Sequence, residues 1–349
     1  MSLRVFRGLR IAARWVAAVG VLWVLLAISL LVFAQQQRTS DSVWLELLRF
    51  LPYAWFLLPC LMALVASVWL GRAWVVACAI GLVALLGPGM GLQWHAAREH
   101  PRSVRMMTYN IKALQAMEKP GGLQALGLAV ARHAPDLLVM QDAHGMLVER
   151  SEKAVDDGPA VFGLRHVYAV GQYVVASRFP IAGCTAGQIG FESLSHRYLR
   201  CRVDIDGQPL TLATAHFQTP RAGLMAARHQ GLEGLDDWQR NHAQRMTQAH
   251  QLARDLAAVS GPLVLAGDLN APPVSPVLAT LEAVGLRNAF SLAGRGYGYS
   301  YGHSLRWGYD FLRIDHIYVS RDIDVIDSFV AAGDASDHRP VVADLVLPQ

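Results

Sequence analysis

Charge is what this sequence most lacks: Asp, Glu, Lys and Arg make up only 17% of its 349 residues, while 53% are hydrophobic. The deficit is concentrated. No charged residue occurs between Arg14 and Arg38, from Phe50 to Gly71, or from Ala73 to Ala97. Each stretch is long enough to cross about 30 Å of hydrocarbon as a helix. The expected spans are 15–34, 51–70 and 74–95, which makes residues 1–98 a membrane anchor. The first apolar run exceeds the roughly 7–15 residues of a signal-peptide core, and two more follow, which argues against a cleaved leader. Gly and Pro in "GLVALLGPGMGLQW" leave a membrane-buried hairpin as the alternative for the later segments.

Cysteine is scarce as well. Cys60 and Cys78 fall in the spans, so Cys184 and Cys201 are the one pair in the soluble part. A cross-strand bond in an oxidising compartment and two buried thiols both remain open. No Cys/His cluster has zinc-ligand spacing. Nor is there a run of Lys and Arg interleaved with aromatics of the kind that grips nucleic acid. The net charge of +4 is modest and owes much to the membrane flanks. Arg4, Arg7, Arg10 and Arg14 precede the first span and favour a cytoplasmic N-terminus; three crossings then put the following domain outside the cytoplasm. Arg98, Arg102 and Arg105 pull the other way.

From residue 99 to 349 the pattern changes to short apolar runs broken by Gly, Pro and Asp. "VRMMTYNI" reads as a strand, "GLQALGLAVARHA" as a helix and "PDLLVMQ" as a buried strand, one β-α-β unit. "YVVASRFPIAG" and "RYLRCRVDIDGQPLTLATAHF", with its Asp-Gly turn, follow as strands. A long helical stretch over 224–256 comes next, with Arg228, His229, His242, Arg245 and His250; the expected reading is an amphipathic outer helix showing a solvated face, and the alternative is a wall of the substrate site. "PLVLAGDLN", "RIDHIYVS" and "VVADLVL" complete the strands of a layered α/β domain without repeats. The Gly- and aromatic-rich segment 294–311 reads as a twisted hairpin or ordered loop, or as a substrate- or membrane-facing lip.

Several strands end alike, the apolar residues giving way to Asn, Asp or His. "MMTYN" ends at Asn110, "LLVMQD" at Asp142, "LATAH" at His216, "VLAGDLN" at Asp268 and Asn270, and "ASDH" places Asp337 and His338 before the last strand. Singly, each has the plain explanation of a turn residue. Together they suit phosphate-ester hydrolysis, because layered folds gather strand ends at one rim where loops build sites. Carboxylate and carboxamide oxygens suit a hard cation, so Mg²⁺ or Mn²⁺ is the expected cofactor. Asp268 is placed to aim and deprotonate water, and Asp315 of "RIDHIYVS" is a candidate to orient His338.

The motifs "TYNI", "LLVMQD", "ASRFPI", "ATAHF", "AGDLNAPP", "RIDHIYVS" and "SDHRPVVADL", in this order, resemble the endonuclease/exonuclease/phosphatase superfamily over about residues 103–347. The resemblance implies a four-layer sandwich of two packed mixed β-sheets flanked by helices, and a Mg²⁺-dependent phosphoesterase. It implies Asp142, Asn110 and Asp337 around the metal, and His216 on the scissile phosphate. Asp268 would orient the water with Asn270 assisting, Asp315 would pair with His338, and Arg178 would be structural. The family has Gln-Glu where this chain has Gln141–Asp142, a ligand one methylene shorter. The reach lost is about 1.5 Å, a large error for a cation that binds at about 2.0–2.1 Å.

The expected protein is therefore a multi-pass bacterial inner-membrane phosphoesterase with an extracytoplasmic catalytic domain. Its expected partners are the lipid bilayer and a phosphoester, foremost a phospholipid or lipid-linked headgroup. A membrane-anchored nuclease is the less favoured alternative, and an inactive phosphate-binding module a third.

Overall fold

The uncharged stretches form helices, and the punctuated remainder forms strands with helices between them. The computed structural model describes residues 3–146, 161–191, 196–306 and 308–348. The chain separates into two compact units, Met1–Leu92 and Gln93–Gln349.

In the first unit, α1 (Leu3–Gln36) is followed by a short α2 (Val43–Arg49), a 3₁₀ turn (Tyr53–Phe56), α3 (Leu57–Leu70), α4 (Arg72–Ala84) and a π-helical turn (Leu85–Gly89). Three segments, Arg7–Gln36, Tyr53–Leu70 and Arg72–Gly89, are long and apolar enough to cross a membrane. Large apolar side chains such as Trp15, Trp23, Val65, Trp69 and Val83 point outward, as hydrocarbon permits and water does not. The end of α1 is closed by Arg49, which donates to the carbonyls of Ala34 and Gln37; Glu46, 2.8 Å away and also buried, balances its charge. A cation suits the negative end of a helix. The third apolar helix stops at Gly89, short of the expected residue 95. Pro88 cannot donate to the helix, the chain turns through Gly91 at φ 74°, and residues 93–94 are already a strand of the second unit.

The strands of the second unit are, in chain order, β1 (Gln93–Trp94), β2 (Val104–Asn110), β3 (Leu137–Gln141), β4 (His166–Val170), β5 (Tyr173–Ser177), β6 (Ile181–Gln188) and β7 (Arg197–Ile205). They continue as β8 (Gln208–His216), β9 (Leu263–Asp268), β10 (Arg287–Asn288), β11 (Arg295–Gly296), β12 (Asp315–Val319), β13 (Asp324–Val330) and β14 (Val341–Val346). One six-stranded sheet has the order β13-β14-β2-β3-β5-β4 and the other β10-β12-β9-β8-β7-β6. Each is mixed, with one parallel pair at its centre, β2/β3 and β8/β9. The helices are α5 (Ala113–Met117), α6 (Gly122–Ala131), α7 (Arg221–Gln230), α8 (Gly234–Ala257), α9 (Pro276–Ala283) and α10 (Ala289–Ala293).

Alternation along the strands sorts the side chains into layers. Met106, Leu137, Val139, Leu199, Leu212, Val264, Ile317 and Ala343 fill the space between the sheets. Met107, Tyr109, Leu138 and Met140 face the other way, onto Leu126 and Val130 of α6. Ala213, Ala215, Leu263 and Leu265 pack on Leu252 and Leu256 of α8 and Leu281 of α9. The result is the four-layer sandwich expected from the sequence. The turn Asp206–Gly207, both at positive φ, closes the β7/β8 hairpin in two residues.

One expectation fails. The stretch 224–256 is two helices, broken around Gly231, and it is not simply a solvated face. His242 and Arg245 are buried, as are Asn241 and Gln248. Gln248 accepts from Gln218 N at 2.7 Å, Asn241 donates to Thr219 O at 2.8 Å, and Arg245 donates to Asn270 O at 3.2 Å. Loop backbone at this depth needs partners, and these polar side chains supply them. Charge alone suggested water; the position of the loops decided burial.

Candidate active site

Two central parallel pairs carry the site, because parallel neighbours end at the same edge. In one sheet Asn110 is in register with Gln141; in the other His216 is in register with Asp268, and Asp315 lies opposite Asp268 on the antiparallel β12. Gly267 lets β9 approach β8 so closely: any Cβ there would collide with the carbonyl of Ala215. The two sheets are tied beneath the site by Gln141, whose Nε2 donates to Thr108 Oγ1 at 3.1 Å and to Thr214 Oγ1 at 2.9 Å. This buried amide is thereby satisfied across the core.

Asp268 is the centre of the arrangement. Its Oδ2 accepts from Asn110 Nδ2 at 2.9 Å and lies 3.4 Å from His216 Nε2 and 3.7 Å from His338 Nε2; its Oδ1 accepts from Asn270 N at 3.0 Å. Burial, together with the neighbouring Asp315, raises its pKa above the ordinary carboxylate range, against the opposing pull of His338, His216 and Asn110. His338 Nδ1 donates to Asp315 Oδ2 at 2.8 Å, and Ser300 Oγ donates to the same oxygen at 2.7 Å. Burial disfavours an imidazolium, but Asp315 and Asp268 outweigh it and push the His338 pKa up to about 9. The Asp315 hydrogen bond and the neighbouring Asp268 thus favour the protonated ring, which donates hydrogen bonds.

His216 is held from both sides. Its Nδ1 donates to Gln172 Oε1 at 2.6 Å and its backbone N donates to Tyr173 Oη at 2.9 Å. Asp142, at φ 49°, presents Oδ1 3.7 Å from His216 Nδ1, and its Oδ2 is in contact with Lys112 Nζ. Burial opposes ionisation of Asp142, but His216 and Lys112 prevail and its pKa falls below the usual value. Asp337 Oδ1 is 3.9 Å from His338 Nε2, buried, and without a hydrogen-bond partner among the described residues.

All eight residues expected from the sequence thus border one rim, but they are used differently. Asn270 turns its side chain to Phe217 O at 2.9 Å, so the site receives its backbone N–H. Arg178 lies at the opposite end of β3, paired with Asp136 at 2.8 Å. Lys112, Gln172, Ser300 and Tyr301 went unremarked in the sequence. Tyr301 sits in the Gly- and aromatic-rich segment; its ring packs on His338 at 4.9 Å and its hydroxyl accepts from Arg221 at 2.9 Å. That segment is an ordered loop walling the site, with Trp307 outside the described residues. Gln172 is brought in by the β4/β5 hairpin, which turns in two residues at Gly171, φ 55°, and Gln172.

Hard oxygen donors and an orphaned buried carboxylate oxygen at Asp337 fit a divalent cation such as Mg²⁺. Asp268, Asp315 and His338 also offer ligand atoms within 4.8 Å of one another, but they are already committed as acceptor, counter-ion and cation.

The family described as Endonuclease/Exonuclease/phosphatase matches residues 107–338. No curated protein sequence matches the chain. An endonuclease/exonuclease/phosphatase from Bacteroides vulgatus superposes with a TM-score of 0.50 at 19% identity, over 70% of this chain and 99% of its own. One from Beutenbergia cavernae DSM 12333 gives 0.48 at 21% identity, over 71% of this chain and 72% of its own. A 3'-5' exonuclease from Neisseria meningitidis gives 0.49 at 19% identity, over 70% of this chain and 100% of its own.

Proposed function

The chain belongs to the endonuclease/exonuclease/phosphatase family of phosphoester hydrolases, and from that premise we propose that it is a membrane-anchored, Mg²⁺- or Mn²⁺-dependent phosphoesterase acting on a phospholipid or lipid-linked headgroup. The observation that carries the reading is the Asp268 carboxylate, faced by His216 and His338 with His338 held by Asp315.

In this reading Asp142, Asn110 and Asp337 would hold the cation, which would supply charge neutralisation at the phosphoryl group. Asp268 orients the attacking water and accepts its proton; burial makes it a stronger base than an exposed aspartate. The His338 imidazolium donates to a non-bridging phosphoryl oxygen, and Asp315 keeps that proton in place. His216 supports the same oxygens, its ring fixed by Gln172. Asn270 serves through its backbone, holding Asp268 Oδ1.

The three apolar helices support anchoring, and a catalytic domain tethered to a bilayer meets headgroups at high local concentration. The Cys184–Cys201 disulfide, joining register partners of β6 and β7, supports a place outside the reducing cytoplasm, as do the arginines before the first span.

The test uses the full-length protein in detergent with Mg²⁺ or Mn²⁺, assayed against a phospholipid panel, a generic phosphodiester and plasmid DNA. Headgroup or phosphate release that is abolished by EDTA and by Asp268→Ala is the expected result. DNA nicking without headgroup release would make it a nuclease. No turnover on any substrate would make it a binding module.

A further inference from the structure

Of the six non-glycine residues with left-handed backbone among the described residues, three border the site: Lys112 at φ 44°, Asp142 at φ 49° and Asn270 at φ 47°. That conformation carries a steric cost for an L-residue, so surrounding contacts must impose it. For Lys112 and Asp142 these contacts are mutual. Ala113 N donates to Asp142 O at 2.8 Å, Ile111 N donates to Gln141 O at 3.0 Å, and the Lys112 ammonium lies on Asp142 Oδ2. The loop after β2 is thereby folded to put a cation on the carboxylate that, in the reading above, binds the metal.

The type of cation matters. Of the 31 basic residues only three are lysines, Lys112, Lys119 and Lys153; the rest are arginines. A guanidinium would grip the carboxylate with a rigid fork, whereas an ammonium is a compact charge on a flexible stem that can leave one oxygen for another. The two side chains are 24% and 21% exposed, so an incoming ion and water both reach them. A divalent cation must approach Asp142 to about 2.0–2.1 Å, and the ammonium cannot stay on Oδ2 when it does.

We propose that Lys112 is an exchangeable counter-ion of Asp142, which holds the carboxylate while no divalent cation is present, yields it when one binds, and then turns its ammonium to the anionic oxygens of the phosphoester. The inference rests on the metal-dependent reading above. It makes Lys112 an internal competitor that lowers metal affinity by the fraction of Asp142 it occupies.

The test titrates Mn²⁺ into the full-length protein in detergent, with free ion followed by electron paramagnetic resonance. Lys112→Met and Lys112→Gln should bind Mn²⁺ about tenfold more tightly than the parent, and Lys112→Arg should show no such gain. Inorganic phosphate should bind the Mn²⁺-loaded Lys112→Met protein more weakly than the loaded parent; equal affinity overturns the transfer to substrate. If the Met and Gln variants bind Mn²⁺ no more tightly while Asp142→Ala abolishes binding, the counter-ion role is overturned and the metal site stands. If Asp142→Ala binds Mn²⁺ as well as the parent, the metal site and the exchange fall together.

Discussion

Asp315 Oδ2 takes two hydrogen bonds at once, from His338 Nδ1 at 2.8 Å and from Ser300 Oγ at 2.7 Å. The first fixes the imidazole; the second fixes the carboxylate that fixes it.

Removing the negative charge at Asp315 should therefore act through His338. Folding raises the His338 pKa from 6.5 to about 9, so the imidazolium stabilises the native state fully below pH 6.5, and this contribution is lost as pH rises through about 9. Activity should fall over the same alkaline limb. Asp315→Asn should move that limb to lower pH and reduce kcat by about 10²–10⁴-fold. Rate–pH profiles of parent and variant check both expectations.

At Asp142 the informative change is one methylene. Asp142→Ala should remove metal-dependent activity, whereas Asp142→Glu should preserve or raise it by lengthening the proposed ligand by one methylene. Activity against Mg²⁺ and Mn²⁺ concentration decides; a harmless Asp142→Ala would reduce this residue to the end of a strand.

Asp268 is buried in a setting that resists its own ionisation. Asp268→Asn should lose hydrolysis by at least about 10²-fold and also melt lower than the parent, because the amide must turn its NH2 onto one of the two donors, Asn110 Nδ2 or Asn270 N, that the carboxylate accepts from. Parallel rate and thermal-melting measurements test the pair of outcomes.

Gln141 joins the two sheets through Thr108 and Thr214. Gln141→Leu keeps the volume but strands two hydroxyls, and should destabilise the domain by about 1–3 kcal/mol. Adding Thr108→Val and Thr214→Val should recover part of that loss in denaturant unfolding.

The disulfide closes a loop between residues 17 apart in sequence. Its removal by Cys184→Ser with Cys201→Ser should cost about 3 kcal/mol, and a reductant should lower the melting temperature by a comparable amount. An alkaline phosphatase reporter fused after residue 349 should be active if the domain faces away from the cytoplasm.

Much of this was legible in the chain itself. Apolar runs without charge dictate helices, and buried strands that end in Asn110, His216 and Asp268 mark a rim, because periodicity and strand termination are local properties. The Asp-Gly turn, the layered fold and the residues that end strands follow from such signals, whereas Asp315 opens β12 and Asp337 and His338 precede β14. Arg245 and His242 were misplaced because their burial depends on loops arriving from Phe217 and Asn270, which helical periodicity does not encode. Gln172, Ser300 and Lys112 carry no sequence signal of their roles for the same reason: each acts on a residue far away in sequence or across a strand pair. What only the tertiary structure decided is the pairing. Asn110 meets Asp268 across 158 residues of chain, and Asp142 meets Lys112 across 30, because hydrogen bonds and ion pairs depend on distance in space, which the packing of two sheets sets.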